Sequence, residues 1–145
     1  MKSILFSIML FFSTLCSYGQ LDVTSSKLSP IPAGGGVWYN PNPNEIGYVL
    51  ILSTDNKYDD PLGIVLGSNK ENALKTLDDL ISICNKPTGT NTSFDSGFGY
   101  TVTLDIFSML GKKCSMSANG YAGIVFVNAK LFEGCKKKVI KFKEP

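Results

Sequence analysis

The sequence predicts an α+β domain: an antiparallel sheet of about five strands, a helix over residues 71–85 packed on one face, and a second helix at the C-terminus. Three observations carry that expectation. Strand-like runs at 46–54, 62–66 and 100–107 are bounded by polar or glycine-containing turns. Leu74, Leu77, Ile81 and Cys84 recur at the three- and four-residue steps of an amphipathic helix. Asn119-Gly120 lies between two further apolar runs, the signature of a tight hairpin, because both residues tolerate positive φ.

Taken in order, the first nineteen residues read as a secretory signal peptide. Lys2 gives a positive start, residues 4–15 form an apolar run, and Ser17-Tyr18-Gly19 places small residues at −3 and −1 of a cleavage site. Twelve helical residues span about 18 Å, against a bilayer core of about 30 Å, so this run is too short for an anchor. Leu15 does not suit a lipoprotein site at Cys16. Cleavage after Gly19 leaves residues 20–145, with 13 lysines against 12 acids. The expected product is exported to a periplasm or beyond and carries no transmembrane segment.

Residues 20–36 are rich in Ser, Pro and Gly and read as a flexible leader, so 37–145 is the expected domain. Val37-Trp38-Tyr39 is a short strand stopped by Pro41 and Pro43. The run 46–54 is apolar on both faces over Tyr48 to Leu52, which predicts a central strand. Residues 55–61 form a polar turn, and 62–66 returns as its hairpin partner. Ser68 or Asn69 caps the helix, with Glu71 at capping-box spacing from Ser68, and Pro87 ends it. The polar stretch 86–99 reads as a long mobile loop. Residues 100–107 alternate cleanly, with Val102, Leu104 and Ile106 on one face and Thr101, Thr103 and Asp105 on the other. A two-residue turn at Asn119-Gly120 would pair 114–118 with 121–127 and set Cys114 opposite Val125. Phe132, Cys135, Val139 and Phe142 give the C-terminal helix over 128–142, with Asn128 as cap. A terminal strand at 139–142 is the alternative. No internal repeat is visible.

Several chemistries are excluded by composition. The chain has no histidine, which removes Ser-His-Asp and Cys-His catalysis and histidine-ligated metals. It has no arginine, so all 14 basic residues are lysines and no guanidinium fork is present for carboxylate, phosphate or guanine. A net charge of +2 is too small for a nucleic-acid footprint. The lysine-only, asparagine-rich composition fits an AT-rich bacterial genome.

The candidate sites are few. Cys84, Cys114 and Cys135 each fall on the apolar side of their element and read as buried thiols, with a Cys114–Cys135 disulfide as the sharper possibility in an oxidising compartment. Asp55, Asp59 and Asp60 share a turn but lack the calcium-loop pattern. Gly34-Gly35-Gly36 precedes a strand rather than a helix and is not a phosphate loop. Lys136-Lys137-Lys138 reads as a solvated helix face. Aromatics outside the best core elements, Trp38, Tyr39, Phe94 and Phe98, together with Asp95, make the candidate interaction surface. No catalytic, metal or cofactor site is expected. The sequence therefore favours a non-enzymatic binding or interaction module of the bacterial envelope or extracellular space, with a protein or envelope partner. A small exported hydrolase using Asp or Lys chemistry, for example at Asp95 or Asp105, and a structural envelope accessory protein are the alternatives.

Overall fold

Two antiparallel meanders of four strands are each followed by a helix. The computed structural model describes residues 26–30, 36–41, 46–53, 60–119 and 123–145. The expected signal peptide, Cys16, Asp55, Asp59 and Gly120 lie outside the described residues. The first sheet holds β1 (Ser26–Pro30), β2 (Gly36–Tyr39), β3 (Tyr48–Leu52) and β4 (Leu62–Gly67) in that order. Helix α1 (Lys70–Cys84) follows. The second sheet holds β5 (Asn91–Asp95), β6 (Thr101–Ser108), β7 (Lys112–Ala118) and β8 (Val125–Val127), and α2 (Ala129–Lys141) closes the chain. The α+β class, the antiparallel pairing and both helices are as expected. The strands divide into two sheets rather than one of five.

The central-strand expectation for β3 holds, since it pairs with β2 on one side and β4 on the other. Tyr48, Leu50 and Leu52 enter the core at 0% exposure. On β4, Leu62, Ile64 and Leu66 do the same, while Gly63 and Val65 take the opposite face. The second sheet buries Val102, Leu104 and Ile106 of β6 against Cys114 and Met116 of β7 and turns Thr101, Thr103 and Asp105 to its other face. The buried faces of both sheets and both helices meet in one continuous core.

Each helix begins at an asparagine whose side chain takes an orphan amide of the first turn. Asn69 accepts from the Asn72 N–H at 2.9 Å, and Asn128 accepts from the Leu131 N–H at 2.9 Å. Asn69, not Ser68, is therefore the cap of α1. The fourth and eleventh residues after each cap are buried: Ala73 and Leu80 in α1, Phe132 and Val139 in α2. The fold thus repeats a unit of four strands and a capped helix, a symmetry that the differing side chains conceal in the sequence. The helices pack against each other in opposite directions. Lys70 at the start of α1 donates to the carbonyls of Ile140 and Phe142 at 2.8 and 2.7 Å, and Lys136 of α2 pairs with Asp78 at 2.5 Å. A cation placed on the last carbonyls of α2 satisfies orphan acceptors and opposes the helix dipole. The C-terminal segment is helix to Lys141, which settles the strand alternative.

Three expectations need correction. Ser26–Pro30, inside the stretch expected to be leader, pairs with β2 as β1. The stretch 86–99 is not one loop, because Asn91–Asp95 forms the edge strand β5 on β6. With Phe94 its only apolar residue, β5 shows almost no period-two signal, and the ladder to β6 decides its state. Finally, Cys114 pairs with Val127 and Met116 with Val125, whereas a two-residue turn at Asn119-Gly120 would set Cys114 opposite Val125. The offset from the expected pairing is two residues, which keeps every side chain on its face; the apolar pattern cannot distinguish the two registers.

The two sheets are joined where β4 meets the turn after β5. The Val65 N–H donates to the Ser96 carbonyl at 2.7 Å. The Tyr100 hydroxyl receives the Gly63 N–H at 2.9 Å and donates to the Gly63 carbonyl at 2.6 Å. One phenol thereby serves both edge groups of a buried strand residue, as a ninth strand would.

Candidate functional site

The aromatic surface expected from the sequence is divided by the fold. Tyr39 packs its ring 4.9 Å from Tyr48 and 5.1 Å from Phe142, closing the core under the C-terminus. Phe94 is half-buried against the core from β5. Trp38 lies on the opposite face of its strand from Val37, paired with Val49. Phe98 reaches that same outer face of the first sheet, over Gly63, and stacks on Tyr100 with centroids 6.5 Å apart. Asp95 is occupied in the turn, accepting from the Gly97 N–H at 2.7 Å. The structure brings Trp38 and Phe98 to one face and turns Tyr39 and Phe94 inward.

The cysteines are buried thiols. Cys84, Cys114 and Cys135 are each at or below 4% exposure, and no disulfide joins Cys114 to Cys135. The Cys114 thiol points to the Cys84 carbonyl at 3.7 Å, which fixes β7 under the end of α1.

A different region has the exposed chemistry. The β6–β7 hairpin turns through Met109, Leu110 and Gly111, with Ser108 and Lys112 as its last pair. Leu110 is fully exposed and holds φ at +55°, a left-handed conformation that bulky L-residues rarely adopt. Beside the tip lies β8, an edge strand. Its inward residues Val125 and Val127 are buried, while Phe126 stays 64% exposed and Ile124, two residues earlier, 57%. Met109 is 60% exposed. Phe126 packs on Phe107 with centroids 6.2 Å apart. Between tip and edge opens a cavity of about 350 Å³ lined by Met109, Lys113, Cys114, Phe126, Val127 and Asn128. Its lining holds one cation and no carboxylate. Asp105 stands outside it and accepts from the Asn91 side-chain amide.

Sequence reasoning missed this region for two reasons. Residues 124–127 are all apolar, which reads as a buried strand unless the edge position is known. Met109-Leu110 precedes Gly111 and reads only as part of the turn after residue 107. The available signal was two bulky apolar residues at a hairpin apex followed by Lys112-Lys113.

Among the described residues, no group of three Cys, Asp or Glu residues is placed to hold a metal ion, and no helix is long and apolar enough to cross a membrane. Compared with protein-family models, with curated proteins and with solved structures, the chain matches none.

Proposed function

We propose that this protein is an exported, non-enzymatic binding module of the bacterial envelope or extracellular space, and that it binds through the β6–β7 tip and the outer side of β8. The observation that carries this reading is the ridge of Met109, Leu110 and Phe126, exposed apolar side chains of which Met109 and Phe126 wall one cavity. Such a patch costs solubility unless something covers it. A leucine held in left-handed backbone at its apex adds strain at the same place, and strain of this kind collects at functional sites. The signal-peptide pattern of residues 1–19 supports export.

The test is cell fractionation with a photo-crosslinking residue at position 126 or, as control, at Ser82 on the exposed side of α1. The reading expects the chain in the exported fraction and adducts formed from position 126 alone. A chain confined to the cytosol, or equal labelling from both positions, would contradict it.

A further inference from the structure

We infer that the ridge docks on the surface of an anionic lipid bilayer; this rests on the binding reading above and names its partner. The shape is that of an interfacial contact. Leu110 and Met109 stand at a hairpin apex, where they can enter the acyl boundary without any backbone leaving its ladder. Phe126 extends the apolar area alongside, since it and Met109 are walls of one cavity. Interfacial binding grows with buried apolar area and with attraction to acidic headgroups.

The charge around the ridge supplies the second component. Residues 106–132 contain Lys112, Lys113 and Lys130 and no Asp or Glu. Lys113 and Lys130 are exposed, and Lys113 lines the cavity beside Met109. A cation set among exposed apolar residues, as Lys113 is beside Met109 and Phe126, complements a negative lipid surface.

The same charge argues against a second copy of this chain. A two-fold contact through the ridge would oppose Lys113 to its own equivalent. Strand addition to β8 is also poorly served, since β8 is three residues long and offers a short ladder.

The experiment uses the chain from Gln20, which keeps every described element and lacks the apolar run 4–15 that would bind lipid unaided. Co-sedimentation is measured with vesicles of phosphatidylglycerol and phosphatidylcholine, and with phosphatidylcholine alone. Binding is expected to the anionic vesicles. The double variant Met109→Ser, Leu110→Asn should weaken it at least tenfold, and Lys113→Gln by about fivefold, an effect that salt reproduces. All substituted positions are exposed, and far-UV circular dichroism checks the fold. A dye on Leu110→Cys should shift to the blue with anionic vesicles, while one on Ser82→Cys should not.

No binding to anionic vesicles, or binding that the tip variants retain, overturns the lipid assignment. If position 126 then crosslinks an envelope protein or a second copy, the binding reading survives and only the lipid partner falls. If it crosslinks nothing, both fall.

Discussion

Replacing Tyr100 with phenylalanine removes one oxygen and should loosen the junction between the two sheets. The hydroxyl makes two hydrogen bonds, accepting from the Gly63 N–H and donating to its carbonyl. Each contributes about 1 kcal/mol net, and leaving both edge groups of a buried residue without a partner adds a desolvation cost. The phenyl ring keeps its stacking on Phe98, so packing changes little. The expected loss is therefore about 2–3 kcal/mol, or roughly 8–12 °C in Tm for a domain of this size. Urea unfolding of Tyr100→Phe measures it, with an unchanged m-value showing that the folded state remains as compact. Hydrogen exchange gives a local readout, because the neighbouring Val65 amide, bonded to Ser96, should lose protection before the amides of β3. A loss below about 0.5 kcal/mol, the range of ordinary surface substitutions, would refute the junction.

Three further outcomes follow from single residues. Burial raises the Tyr48 hydroxyl above the usual tyrosine range, and its bond to Glu144 at 2.7 Å adds to that. A raised folded pKa means stability fully present below about pH 10 and lost as pH climbs beyond it, so the urea-midpoint gap between wild type and Tyr48→Phe should narrow above about pH 10. Gly97→Ala should destabilise by more than about 2 kcal/mol in the same assay, since φ is +80° and a Cβ would stand 2.4 Å from Val65 Cγ2. Asn128→Ala should cost about 1 kcal/mol by thermal melting, from the unsatisfied Leu131 amide.

Much of this fold is legible in the sequence where a residue pattern and its environment agree. The alternation at Val102, Leu104 and Ile106 and the stripe of Leu74, Leu77, Ile81 and Cys84 each name one inward face; Leu77 and Cys84 are buried, and Leu74 and Ile81 are half-buried against the core. Asn128 announces α2 because a cap acts within its own turn. What the sequence conceals depends on neighbours. The polar strand β5 exists because β6 offers it a ladder. The register of β7 on β8 is invisible because a two-residue shift leaves the apolar pattern unchanged. The ridge is hidden for a related reason: Phe126 looks like core until β8 is known to be an edge. Of the candidate surface, Trp38 and Phe98 reach one outer face, whereas Tyr39 and Phe94 serve the core, since composition marks an aromatic without saying which way its strand faces.

If the β6–β7 tip gives up stability for a contact surface, Leu110→Asn should reveal it in one variant. Asparagine tolerates the left-handed backbone that leucine holds at φ +55°. Because Leu110 is fully exposed, no core contact is lost. The expected effects have opposite signs: a gain of about 0.5–1 kcal/mol in unfolding free energy, together with a fall of at least threefold in retention of the chain by the envelope fraction. A variant that is no more stable than wild type and is retained as well as wild type would contradict it.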